Sequence, residues 1–330
     1  MCLSARRFTR LNRSLLSAVL TLVLVIVSPQ PTSAQEGPSH IVVFGASLSD
    51  SGNAFALRGG SNTAPDYSVD PLLVPGQPYA RGGHHFSNGA TWIEQWALSQ
   101  GLARSVRPAF QASAAGATNY AVGGARAHND GINLNLSMQV AAFLEESGGV
   151  APSTALYTIE MGGNDIRDAL VVFAGGGNGA PVIQAALTSI AGQVLTLYEA
   201  GARHFLIWSA PNVGLTPAIR GLDAVLPGAV QLATGLTLAY NNGLETILSQ
   251  MSGLPDIRID RLDAYRLLND IVGQPAAFGL TQATTACITP NVAPFFCQTP
   301  DTFLFWDGIH PTRAAHALIA AEAAFVLSQW

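Results

Sequence analysis

Lysine is absent from this 330-residue sequence; all 16 basic residues are arginine. Without lysine, Schiff-base catalysis on an amine and a phosphate loop built around one are both excluded. Cysteine is scarce, with Cys2, Cys287 and Cys297 the full set. No second cysteine pair and no neighbouring histidine completes a metal site around the last two, so no metal is expected. Charge is scarce too, at 11% of residues. Past residue 34, 12 arginines face 21 acidic residues, a net charge of −9 with no basic cluster, which argues against a nucleic-acid partner. No internal repeat is present, so a repetitive structural or adhesive protein is not indicated. Past the same point, no run reads as long and apolar enough to cross a membrane.

The first stretch does contain one apolar run. Arg6, Arg7, Arg10 and Arg13 precede Leu15 to Val27, and Thr32-Ser33-Ala34 follows. A basic start, a short apolar core and small residues before a cut describe a secretory signal peptide. The core falls short of the ~20 residues that span a bilayer, which separates it from an uncleaved anchor. Residues 1–34 are therefore expected to be a cleaved leader, and residues 35–330 one secreted or periplasmic domain. Export to an oxidising compartment favours a disulfide between Cys287 and Cys297; two buried free thiols are the alternative.

Strand-like and helix-like segments alternate through the rest. Ile41 to Phe44, Thr154 to Glu160, His204 to Trp208 and Ile257 to Asp260 read as strands. Helical spacing marks a segment from Trp92, then Val182 to Tyr198, Leu236 to Met251 and Ala314 to Leu327. This alternation predicts an α/β fold of one domain, a mostly parallel sheet between two helical layers. Residues 59–85, 174–181 and 273–302 are rich in Gly, Pro or polar residues and read as surface loops of that domain.

Chemistry concentrates at four places. Asp307-Gly308-Ile309-His310 can set a carboxylate against one imidazole nitrogen and leave the other free to take a hydroxyl proton. Ser47, in Phe44-Gly45-Ala46-Ser47-Leu48-Ser49-Asp50, follows the first strand, and open α/β sheets gather their sites at the carboxyl ends of strands. Such a serine, base and orienting acid are the parts of a nucleophilic hydrolase. Two glycine-rich turns, Asn119 to Ala125 and Met161 to Asp165, could offer N–H donors to a developing oxyanion. Taken alone, each is more often just a turn.

Together, these four segments resemble the four blocks of the GDSL, or SGNH, serine esterases and lipases, in the family's order and from Ile41 to Thr312. Phe86-Ser87-Asn88-Gly89 with Trp92, and Phe303 to Trp306 before Asp307, resemble the secreted bacterial lecithinase/haemolysin-type and plant-like branch. The resemblance implies a flavodoxin-like SGNH fold and hydrolysis of small-molecule or lipid carboxylic esters through an acyl-enzyme, with no cofactor. By position it implies Ser47 as nucleophile and first oxyanion donor, His310 as base and Asp307 as its orienter. It adds Asn164 and Gly124 as the other oxyanion donors, with Gly123 the alternative if the turn shifts by one. Ala46 departs from the family's Asp. Transfer to another alcohol and carbohydrate O-deacetylation would use the same residues. A binding protein that lost turnover is the reading of another class, and only Ala46 favours it. Asp50 is expected to hold its turn or cap the following helix, and Asp165 to orient the Asn164 turn. His84 and His85 are expected at an exposed rim, His204 and His316 to be structural, and Trp306 to line the pocket.

Overall fold

The computed structural model describes residues 37–61, 75–80, 82–111, 115–288 and 297–328. The expected leader and its cleavage point lie outside these residues. Four strands, β1 (Ile41–Gly45), β2 (Leu156–Glu160), β3 (His204–Trp208) and β4 (Arg258–Leu262), form one parallel sheet in the order β1-β2-β3-β4. The first three are buried along their whole length. That suits their near-continuous apolar sequences, since a parallel sheet is covered on both faces.

Residues 118–122 run beside the free edge of β1. Val43 N donates to Thr118 O (2.9 Å), Tyr120 N to Val43 O (2.8 Å) and Val122 N to Gly45 O (3.1 Å). The segment is too irregular to be a strand, but it extends the sheet in the flavodoxin-like sense, with the second segment in sequence outside the first. The direction of winding therefore reverses at β1, and such a switch point opens a crevice beyond the carboxyl ends of the strands.

Alternate strand residues face opposite layers. Val42, Phe44, Tyr157, Ile159, Phe205 and Ile207 pack with α3 (Leu136–Glu146), α4 (Gly163–Ala174), α5 (Ala180–Glu199) and α7 (Ala229–Met251). Ile41, Val43, Leu156, Leu206 and Trp208 pack with α2 (Trp92–Ser99) and α9 (Arg313–Leu327). A third cluster joins α8 (Ala264–Gly273), β5 (Gln282–Ala286), β6 (Phe303–Phe305) and the start of α9. Two short helices complete the set: α1 (Asn53–Leu57), with Ala54 buried, and α6 (Pro217–Asp223), with Ile219 in the first cluster. Local sequence starts the main helices: Thr91 and Glu94 form a capping box on α2, and the Thr312 hydroxyl accepts from Ala315 N (3.1 Å) on α9.

Three expectations are corrected. Residues 273–302 are not only loop, because β5 lies within them and pairs in parallel with β6. The Met161 to Asp165 turn is shorter than it reads, since α4 already begins at Gly163. Among the described residues, one helix is long and apolar enough to span a membrane: α5, of 20 residues. Its Ile183, Ala186, Leu187, Ile190, Val194 and Leu197 are buried in the core, which accounts for its apolar length. Cys287 and Cys297 are joined as a disulfide, with Cα atoms 5.4 Å apart. Cys287 N donates to Phe305 O (2.9 Å), so the bridge is tied to the strand that leads into Asp307.

Candidate active site

Ser47 stands two residues past the end of β1, on a turn held from inside by Asp50. One Asp50 oxygen accepts from Gly52 N (2.8 Å) and Asn53 N (2.6 Å), the other from Ala54 N (3.1 Å) and Gly123 N (2.8 Å). Asp50 thus caps α1 and also ties the Ser47 turn to the 119–125 turn. Burial pushes its carboxyl up, against the pull of those four N–H groups. Asn119 works in the same direction, donating to Ser49 O (2.8 Å) and Ser51 Oγ (3.0 Å).

Asp307 and His310 lie on a tight turn between β6 and α9, closed by Trp306 N to His310 O (2.7 Å). Asp307 Oδ1 accepts from Ile309 N (2.9 Å) and His310 N (2.8 Å). Its Oδ2 meets His310 Nδ1 at 2.7 Å, and His310 Nε2 meets Ser47 Oγ at 3.0 Å. A carboxylate at Nδ1 fixes the proton there, which leaves Nε2 as the acceptor. Tyr79 adds a contact that sequence reasoning missed: its hydroxyl donates to Asp307 Oδ2 at 2.7 Å.

The Phe86-Ser87-Asn88-Gly89 block is the scaffold of this turn. Ser87 Oγ donates to Pro311 O (2.8 Å), and Arg313 N donates to Asn88 Oδ1 (2.6 Å). The Phe86 ring packs on His310 with centroids 5.3 Å apart. Gly123 makes room for that ring, since a Cβ there would lie 2.0 Å from it. Trp92 Nε1 donates to Ser49 Oγ (3.0 Å), and Trp92 N donates to His316 Nδ1 (3.2 Å). Burial lowers the His316 pKa to about 3, so it is a neutral structural acceptor.

Asn164 lies in the first turn of α4, past the end of β2. Its Oδ1 accepts from Arg167 Nη1 (3.0 Å) and its Nδ2 donates to Ala125 O (2.8 Å). Those partners orient the amide and leave the second Nδ2 hydrogen uncommitted. Gly123 and Gly124 differ in the same respect. Gly123 N donates to Asp50, whereas neither Gly124 N nor Ser47 N donates to any described residue. A cavity of about 70 Å³ is lined by Ser47, Leu48, Glu160, Asn164, Arg167 and His310, among others.

Other expected residues fall elsewhere. His85 is buried, not at a rim, and pairs with Glu94 (2.9 Å) and Gly82 O (2.6 Å). His84 stacks on Phe55. His204 bonds Asp260 across the sheet at 2.8 Å, a structural pairing. Trp306 does not line the cavity around Ser47; it packs with Tyr79, Ile288 and the two bridged cysteines. Asp165, expected to orient the Asn164 turn, instead accepts from Ala127 N (3.0 Å) and His128 N (3.1 Å), so it secures the 125–128 turn beside Asn164. No His/Cys/Asp/Glu group among the described residues is arranged to hold a metal ion.

The sequence pattern of the GDSL-like lipase/acylhydrolase family matches residues 41–323. The chain belongs to that family. A GDSL esterase/lipase of Arabidopsis thaliana is 26% identical over 365 residues, covering 93% of this chain and 92% of its own length. A thermolabile hemolysin of Vibrio parahaemolyticus is 24% identical, over 86% of this chain and 62% of its own. The crystal structure of an extracellular lipase from Streptomyces rimosus aligns with a TM-score of 0.40 at 15% identity, over 86% of this chain and 99% of that one. In this GDSL-family chain, Ala46 stands before the serine, and a carboxyl reaches the turn from the next strand instead. Glu160, at the end of β2, accepts from Ala46 N at 3.1 Å and bonds Ser49. Burial pushes the Glu160 carboxyl up to about 8, against those two bonds.

Proposed function

We propose that this GDSL-family chain is an exported serine hydrolase that cleaves carboxylic esters through an acyl-enzyme on Ser47. The observation that carries the reading is the unbroken relay from Ser47 Oγ to His310 Nε2 (3.0 Å) and from His310 Nδ1 to Asp307 (2.7 Å), opening on a cavity beside Asn164. His310 takes the Ser47 proton as Oγ attacks the ester carbonyl carbon, and Asp307 stabilises the imidazolium. Ser47 N, Gly124 N and Asn164 Nδ2 receive the oxyanion, each worth ~2.7–4 kcal/mol where such donors have been removed by mutation. The uncommitted Gly124 N–H supports Gly124 over Gly123 in that role. The tetrahedral adduct collapses, His310 returns the proton to the departing alcohol, and the acyl group stays on Ser47. Water, deprotonated by His310, then releases the carboxylic acid and restores the hydroxyl.

The leader-like residues 1–34 and the Cys287–Cys297 disulfide support export to an oxidising compartment. Ala46 does not favour a binding protein without turnover, since its N–H is held and the relay beyond it is intact. The test is p-nitrophenyl ester hydrolysis by wild type and Ser47→Ala. The expected loss in kcat is at least ~10⁴-fold with an unchanged fold. Activity retained within a few-fold would remove Ser47 as nucleophile.

A further inference from the structure

A second cavity, of about 60 Å³, borders the one at Ser47. Leu48, Pro211, Thr216 and Ile309 line both, so the two spaces meet at the neighbours of the nucleophile and of the base. Beyond that shared wall the lining is apolar, with Leu267 and Ile271 of α8, Leu304 and Phe305 before Asp307, and Ile319 of α9. Two polar side-chain atoms belong to its lining residues. The Thr216 hydroxyl is committed to Val213 O (2.7 Å), and the Trp208 indole N–H is buried without an acceptor among the described residues. Such a space does not recruit water, which needs two to four polar partners, but it accepts an apolar guest.

We infer that this cavity is the acyl-chain site of the proposed esterase and selects medium-chain acyl groups, of about six to eight carbons. The inference rests on the Ser47 reading, since it places the chain by continuity with that site. The ester carbonyl sits at Ser47, the first carbons fill the catalytic cavity, and the remainder passes Leu48 and Ile309. The size follows from volume. On the measure by which one water needs about 10–15 Å³, the cavity holds about four to six groups the size of a methylene. Each methylene buried there should raise kcat/KM about fourfold until the space is full. Longer chains run past the apolar lining and gain nothing further. Ala264, at the start of α8, and Leu268, one turn on, both line the cavity and set its length.

The experiment is a p-nitrophenyl series from acetyl to palmitoyl with wild type, Ala264→Leu and Leu268→Ala. The readout is the ratio of kcat/KM for octanoyl to that for butyryl, which does not depend on how much of a variant is folded. Wild type should peak at hexanoyl to octanoyl. Ala264→Leu should lower the ratio at least tenfold, and Leu268→Ala should move the peak to a longer chain. A wild type fastest on acetyl, or a ratio unmoved in both variants, would overturn the acyl-site assignment and leave the esterase reading standing. No hydrolysis of any member by wild type would overturn both.

Discussion

Glu160 is the residue whose behaviour departs most from its surroundings. It ends an apolar strand, lies buried under the Ser47 turn, and holds Ala46 N and Ser49. Its carboxyl titrates near 8 in the fold against 4.5 ordinarily, so the folded protein holds that proton more tightly than the unfolded chain. The associated stability is fully present below about pH 4.5 and is lost as pH rises through about 8, by a few kcal/mol over that window. Thermal melts should therefore show the wild type losing stability between pH 5 and 8.5 more steeply than Glu160→Gln, whose amide can make both contacts without ionising. Parallel slopes would contradict this account. The sequence carries Ser47, Asp307, His310 and Asn164 in recognisable motifs, and the structure brings those residues to one crevice. Tyr79 and Glu160 were not legible. Tyr79 meets Asp307 across 228 positions of chain, and nothing in the local pattern of either residue records that approach.

The elements divide along similar lines. His204 to Trp208 reads as a strand because the apolar run Phe205 to Trp208 is short and rich in aromatic and β-branched residues, and it is one. β5 has the sequence Gln-Ala-Thr-Thr-Ala with mostly exposed side chains, so no apolar pattern betrays it. In contrast, α8 repeats Ala264, Leu267, Leu268 and Ile271 at helical spacing; that signal was present and lay within no expected element. α4 was hidden by its own start, where Gly162 and Gly163 suggest only a turn. Gly162 has φ +113°, and a Cβ there would lie 2.4 Å from the Tyr240 ring, whose hydroxyl donates to Met161 O (3.1 Å). Gly162→Ala should destabilise the protein by ~2–4 kcal/mol, from the disfavoured backbone and the overpacked ring together. It should also misplace Asn164, two residues on, and lower kcat. Urea unfolding gives the first quantity, and an unchanged midpoint would show that the turn relaxes without cost.

Across the whole molecule, the site depends on the order of the sheet. Ser47, Asn164 and the Pro211–Thr216 wall follow β1, β2 and β3 in turn, and parallel pairing brings those three loops to one edge. His310 arrives from 263 residues beyond Ser47, on a turn fixed by Ser87, Asn88 and the β5–β6 pair. The parallel sheet was legible from alternating segments, but the docking of the 307–310 turn was not, because long-range hydrogen bonds of the 86–89 loop set it. The measurement that tests the central claim most directly is reaction with a fluorophosphonate, followed by peptide mass spectrometry and residual ester hydrolysis. A serine activated by His310 should take one adduct, on the peptide containing Ser47, with activity lost in proportion to labelling and no adduct in Ser47→Ala. Inactivation with the adduct on another residue, or turnover undiminished by a fully labelled Ser47, would contradict it.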